Sequence, residues 1–477
     1  HISDAYERAD RCQDLSAGAV KRRILDAESN IRHYKSDKKE SIRMRNNELL
    51  LYRNLRHGDI LGDIADIDSR LKRTTSEEEI AFLREDYFDV AGRLIDLAGS
   101  HGYKGNLWHG YLTYLLVDNE NPYSVACEIR GNVEGSINEI ALHDLEIFRE
   151  LFGFDMIAMG ERLNVGQMEV LLDYVPVNEE SRAFSKRIRD RICELAVVLS
   201  KAGSAGEFKQ MITDFYRDFG VGRYGLHKAF RIEHSEHDEV IIRPISNIAH
   251  VYLEDLIGYE LPKQKLIENT EAFIEGRPAN NCLLFGDAGT GKSSAVKGIL
   301  NKYYDRGLRI IEIYKHQFKD LNEIISRIKN RNYRFIIYMD DLSFEDFEIE
   351  YKYLKAVIEG GLEKKPSNVL IYATSNRRHL IRENYSDKEE TRQDMHSSDT
   401  VQEKLSLVSR FGVLIYFGAP GKKEFDGIVL ALAQRYGIDA DEEELLLEAN
   451  KWELSHGGRS GRTASQFIDH LRGTMAL

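Results

Sequence analysis

Between the apolar stretch Cys282-Leu283-Leu284-Phe285 and the helix-forming run from Ser294 to Leu300, the chain places Gly286-Asp287-Ala288-Gly289-Thr290-Gly291-Lys292-Ser293. A buried strand, a glycine-rich loop and a helix in this order make one phosphate-cradling element. Glycines let backbone amides turn inward around phosphate oxygens, and the helix N-terminus adds positive potential. Lys292 is placed to reach the β- and γ-phosphates and Ser293 to hold magnesium, with Gly286 to Ser294 forming the cradle. This predicts binding of ATP with Mg²⁺.

A parallel sheet must surround such a loop, and the sequence beyond residue 236 supplies one. Apolar runs at residues 282–285, 309–314, 334–339, 368–374 and 413–417 alternate with helical stretches. Their continuous apolar character predicts burial on both faces, giving a parallel five-stranded α/β sheet between helices. After Pro420 the pattern is wholly helical, predicting a small C-terminal lid. We therefore expect an α/β nucleotide-binding domain over residues 236–419 and a helical lid over 420–477.

Residues 1–235 read differently, as a mostly α-helical region serving a client or partner and forming one or two subdomains. Ile80, Leu83, Tyr87, Val90, Leu94 and Leu97 step by three or four, and Ser76-x-x-Glu79 ahead of them is a capping box. A second helix is expected over residues 181–200, with Phe184, Ile188, Ile192, Leu195 and Leu199 inward and Lys186, Arg187, Arg189 and Arg191 off that stripe. Those four form either a solvated face or a phosphate-contacting surface. Glycines at 220, 222 and 225 break the helical pattern, and Val240-Ile241-Ile242 reads as a short strand before Pro244. Trp108, Tyr111, Tyr114 and Tyr123 are expected in a core.

At 477 residues the chain exceeds one ordinary core, and 42% hydrophobic with 30% charged residues is a folded composition. A net charge of −13 disfavours attraction of the whole molecule to nucleic acid or anionic membrane. The cysteines form no C-x-x-C pair and no apolar run reaches membrane-spanning length, so a cytoplasmic protein with free thiols is expected.

Phe335 to Met339 deliver Asp340 and Asp341 at a strand's C-terminal edge, the Walker B position. Asp340 is assigned to the magnesium shell and Asp341 to polarising the attacking water. Successive strand residues point to opposite faces, so both serve one site only if the chain bends there. Glu345 and Asp346 are alternatives to Asp341. The next strand ends in Thr374-Ser375-Asn376, placing Asn376 between the Walker strands near the γ-phosphate, and Arg377, Arg378 and His379 follow. Ser409-Arg410-Phe411-Gly412 closes a helix before the last strand. There Arg410 is either an arginine finger reaching a neighbouring subunit or a cap of its own helix. Arg462, with Arg459 second, opens the final helix as a γ-phosphate sensor.

Together, Leu256-Ile257-Gly258-Tyr259-Glu260, the glycine loop, Asp340-Asp341-Leu342-Ser343-Phe344, Ala373-Thr374-Ser375-Asn376-Arg377-Arg378-His379-Leu380 and Ser409-Arg410-Phe411-Gly412 resemble one bacterial family. It is the AAA+ family catalogued as domain of unknown function 815. The resemblance implies an AAA+ core with a lid, ATP binding, and homo-oligomeric assembly as a ring or spiral; the completeness of the motifs favours an ATPase that couples ATP binding and hydrolysis to remodelling or loading of a macromolecular client. It also implies that Ile257 and Gly258 border the adenine. The Leu-x-Ser-Arg-Phe run is similar to the arginine-finger box of DNA replication initiators and helicase loaders. Two alternatives stay open: a slow, nucleotide-gated binding module, and a DNA-associated protein.

Overall fold

The computed structural model describes residues 44–166, 168–177, 181, 184, 186–245, 248, 251–344, 350–359, 366–376 and 407–475. Residues 1–43, Glu345, Asp346, Arg377, Arg378, His379 and the polar segment expected over residues 382–402 lie outside it.

The N-terminal region is helical, as its periodicity predicts: α1 (Gly58–Leu71), α2 (Glu77–His101), α3 (Leu107–Asp118), α4 (Pro122–Arg130), α5 (Ile137–Phe152), α6 (Met156–Arg162), α7 (Lys186–Leu199), α8 (Ala205–Phe219) and α9 (Gly222–Leu226). Helix α2 starts where the Ser76 hydroxyl accepts the Glu79 amide, and it ends at Gly102 in the left-handed region. Its inward stripe from Leu83 to Leu97 is buried with Trp108, Tyr111, Tyr114 and Tyr123 in one core.

Helix α7 corrects one expectation. Arg189 does not lie on a solvated face: it is 1% exposed and bonds Asp190 at 2.6 Å. Arg187 pairs with Asp305, and Arg191 lies over the Phe219 ring at 4.1 Å. Arg187, Arg189 and Arg191 are thus turned to partners within the chain.

Among the described residues the sheet has seven strands rather than five. Its order is β2-β1-β4-β5-β6-β3-β7, from β1 (Ala229–His234), β2 (Val240–Pro244), β3 (Cys282–Gly286), β4 (Leu308–Glu312), β5 (Arg334–Met339), β6 (Val369–Ser375) and β7 (Val413–Phe417). All neighbours are parallel except the β1–β2 hairpin. β1 begins before residue 236 and extends the five expected strands by pairing with β4. It alternates buried Phe230 and Ile232 with Arg231 and Glu233, the pattern of a strand covered on one face only. β2 is the border strand, where a terminal proline costs no ladder bond. Its outward carbonyls at Ile242 and Val240 accept from Arg223 and Arg327, at 3.1 and 2.6 Å.

Helices α10 (Glu260–Ile274), α11 (Lys292–Tyr303), α12 (Leu321–Ile328) and α13 (Glu350–Glu359) connect the strands. Along β5 the faces alternate. Phe335, Ile337 and Met339 pack in the core with α12 and α13, while Ile336 and Tyr338 pack with Val296 and Ile299 of α11. The chain closes with α14 (Lys422–Arg435), α15 (Glu442–Ser455) and α16 (Gly461–Met475), a three-helix unit around Phe425, Val429, Ala464 and Phe467. Among the described residues no helix is long and apolar enough to cross a membrane.

The helical region is riveted to the sheet by buried charge. Glu128 of α4 receives Arg331 at 2.9 Å and the Tyr333 hydroxyl at 2.9 Å, both just ahead of β5, and the Val221 amide ahead of α9 at 3.1 Å.

Candidate functional site

The glycine loop leaves β3 and enters α11 through backbone that only glycine accommodates. Gly286 has φ 137°, and a β-carbon there would lie 2.0 Å from the Phe417 carbonyl oxygen; at Gly291, φ 91°, it would lie 2.2 Å from Leu256. The loop therefore nests between β7 and the segment before α10. Asp287 ties it further, its carboxylate accepting the Ala419 amide at 2.7 Å.

Lys292 is 6% exposed and turned onto the loop. Its Nζ donates to the carbonyls of Gly286 at 3.0 Å and Asp287 at 2.6 Å, and to Asn376 Oδ1 at 3.0 Å. Burial, opposed by the nearby Asp287, Asp341 and Asp340 carboxylates, leaves its pKa below the ordinary lysine value. The Asn376 amide in turn donates from Nδ2 to Asp341 Oδ1 at 2.8 Å. One asparagine thus bridges the Walker A lysine and the second Walker B carboxylate, in the place expected from the end of β6.

Asp340 Oδ1 accepts three hydroxyls, from Ser293 at 2.7 Å, Tyr338 at 2.7 Å and Thr374 at 2.6 Å. Burial alone would raise this carboxyl. The hydrogen bonds from Thr374, Ser293 and Tyr338, with Lys297 nearby, outweigh it and hold Asp340 below the usual carboxylate range. Asp340 follows the face of Tyr338, toward α11. Asp341 should face away, and the bend that redirects it is explicit: its φ is 49°, and its amide donates to Thr374 Oγ1 at 2.9 Å.

Tyr338 and Thr374 escaped the sequence reading. Strand period two puts Tyr338 on the face of Asp340, and the parallel pair Met339–Ala373 puts Thr374 one step further on, beside Asp340. The register was the missing signal.

These groups line a cavity of about 770 Å³ between the sheet and the C-terminal helices. Ala288 to Ser294 form its floor with Asp340, Asp341, Thr374 and Asn376, and Ile257 lines it beside Tyr259, Ile428 and Tyr436. Gly258 does not line the cavity; its φ of 80° shapes the turn into α10. Gly286 and Asp287 lie beneath the floor and act through their carbonyls on Lys292. Arg462 lines the roof, and its backbone amide donates to the Gly289 carbonyl at 3.1 Å. Arg459 instead pairs with Glu453 at 3.2 Å. Arg435 of α14 reaches Asp255 at 3.1 Å, a second clasp across the cavity that the sequence did not disclose. Arg410 does not line this cavity and bonds Glu359 of α13 at 2.7 Å.

A glycine loop between β3 and α11, paired aspartates on the adjacent-but-one strand and a polar residue ending the strand between them define the AAA+ P-loop class. The chain belongs to the family described as Protein of unknown function (DUF815), whose model matches residues 225–475.

Among solved structures, the chain is similar to the Thermotoga maritima RuvB Holliday junction branch migration motor. The identity is 17%, covering 47% of this chain and 65% of that one, with a TM-score of 0.34. Two mutants of Thermotoga maritima RuvB match at 16% identity, 47% and 66% coverage and a TM-score of 0.34, and at 14%, 47%, 65% and 0.33. The chain thus spans less than two thirds of the RuvB chains. No curated protein matches it.

Proposed function

We propose that this chain is an ATPase whose nucleotide sits in the 770 Å³ cavity, and that ATP binding and hydrolysis remodel or load a macromolecular client. The observation that carries the reading is the convergence of Lys292, Asn376 and Asp341 in one hydrogen-bonded chain beside the Ser293–Asp340 pair.

Ser293 and Asp340 present two hard oxygen atoms side by side, a donor set that suits Mg²⁺. Bound there, the ion would neutralise phosphate charge. Lys292, released from the loop carbonyls, pairs with the β/γ-phosphates. Asn376 and Asp341 position and polarise the attacking water. Ile257, Tyr259, Ile428 and Tyr436 offer an apolar seat for the base, with Gly258 shaping its edge. Arg462 reads the γ-phosphate from the three-helix lid.

Arg410 stands apart from its own cavity, which favours action on a neighbouring subunit in a homo-oligomeric ring or spiral. Residues 1–235 are the client or partner region in this reading, and 420–477 the lid. The pairing of Arg187 with Asp305 and of the buried Arg189 with Asp190 weakens one of the two grounds for DNA binding, the basic helix face, and leaves the Ser409-Arg410-Phe411 similarity as the other.

The test is Lys292→Ala. ATP turnover should vanish and fluorescent-ATP affinity fall; unchanged turnover of purified variant would remove the site. Mixing Lys292→Ala with Arg410→Ala should restore part of the turnover that each lacks alone. If turnover stays negligible with every DNA and protein preparation tried while assembly still follows ATP, the slow nucleotide-gated module is the better description.

A further inference from the structure

Asp340 uses its two carboxylate oxygens unequally. Oδ1 accepts the hydroxyls of Ser293 at 2.7 Å, Tyr338 at 2.7 Å and Thr374 at 2.6 Å, more donors than the roughly two lone-pair sites of one carboxylate oxygen. Among the described residues no donor meets Oδ2, and Asp340 lines the nucleotide cavity. Tyr338 and Thr374 are 3% and 1% exposed, so their hydroxyls cannot readily turn to water instead.

Ser293 commits its hydroxyl hydrogen to Oδ1, which leaves the lone pairs of its own oxygen for a cation. A cation at this pair therefore meets the Ser293 oxygen and one Asp340 oxygen, not both oxygens of the aspartate. That restriction separates divalent ions. Ca²⁺ gathers roughly 6–8 oxygens and often takes a carboxylate through both of its atoms. Mg²⁺ demands a near-octahedral shell, keeps several waters and is held through one or two carboxylates together with substrate phosphates.

We infer that Tyr338 and Thr374 determine the ion specificity of this site: by filling Oδ1 of Asp340 they deny a two-atom grip and select Mg²⁺ over Ca²⁺ as the companion of the nucleotide. Both act through Asp340 and are positioning residues. The inference rests on the nucleotide reading proposed above.

The experiment compares the affinity of a fluorescent ATP analogue at saturating Mg²⁺, at saturating Ca²⁺ and in EDTA, read by anisotropy. Wild type should bind more tightly with Mg²⁺ than with Ca²⁺. Tyr338→Phe and Thr374→Val each leave Oδ1 with two donors and should largely keep that preference. Combined, they open a lone pair on Oδ1, and the preference for Mg²⁺ should fall by about tenfold or more, the range for losing outer-shell partners of a metal ligand. Tyr338→Phe with Thr374→Ser, which keeps the second hydroxyl, should retain it. Equal wild-type affinity with the two ions, or an unchanged preference in the Tyr338→Phe/Thr374→Val double variant, would overturn the inference and leave the nucleotide reading standing. So would a full shift in Thr374→Val alone, which would trace the effect to the Asp341 amide that Thr374 Oγ1 also accepts at 2.9 Å. Wild-type binding that is absent, or as tight in EDTA as in Mg²⁺, is a different failure: it would strike the nucleotide reading or its Ser293–Asp340 magnesium pair, and the inference with it.

Discussion

The Asn376 side-chain amide lies 2.8 Å from Asp341 Oδ1, so the end of β6 holds a carboxylate that β5 alone would aim elsewhere. Asn376 has its carbonyl oxygen on Lys292 at the same time. Removing it frees both partners.

Asn376→Ala should therefore keep ATP affinity within a few-fold while lowering turnover by about 10²–10³-fold, the range for losing one fixed polar group at a charge-developing centre. Single-turnover kinetics with radiolabelled ATP separate the two effects. Turnover within about twofold of wild type would remove Asn376 from the reacting centre.

Asp341 combines its proposed chemical task with a left-handed backbone, φ 49°. Asparagine tolerates that conformation, so Asp341→Asn should fold normally, bind ATP, and lose about 10²-fold or more in turnover. Asp341→Val adds a backbone penalty of roughly 1–2 kcal/mol, readable in urea unfolding. If Asp341→Val is as stable as Asp341→Asn, the strained bend plays no part.

His101 and His227 both pack against Phe184, with ring centroids 5.2 and 5.4 Å away, and burial pushes each imidazole down to about 4. An unfolded histidine titrates near 6.5. Between these values the unfolded chain binds more protons, so stability is complete above pH ~6.5, falls as pH drops, and levels off below about 4. His227→Phe should flatten this slope by up to about one proton, or roughly 1.4 kcal/mol per pH unit. Unfolding midpoints at pH 5 and pH 7 test it; an unchanged difference between them would show that His227 is not a contributor.

Glu128→Ala should destabilise the protein by about 3–5 kcal/mol, because Arg331 would keep its charge in a buried place with one acid fewer. Glu128→Gln, which retains hydrogen-bonding capacity, should cost less. Proteolysis near residue 221 should accelerate in the alanine variant first. A loss under about 1 kcal/mol would mean that the rivet is not what joins the two regions.

The readable parts of the molecule share a cause. The five central strands and the glycine loop announce themselves through long apolar runs punctuated by residues that only one backbone conformation permits. The stripe of α2 does so through its spacing. What stayed hidden depends on pairing across the chain. β1 has the mixed texture of a half-covered strand; Arg189 is buried where its side chain passes close to Gly102, which no local pattern encodes. Thr374 and Tyr338 acquire their role only when β5 and β6 are in register, and Arg435 when α14 folds back over Asp255.

The two guanidinium groups on the outer carbonyls of β2 act at the molecule's perimeter. An incoming extended segment would have to evict Arg223 and Arg327 before it could hydrogen-bond to that border. The hairpin is therefore a sealed hem: it finishes the sheet on this side and discourages fibrillar stacking through β2, leaving contacts between molecules there to side chains.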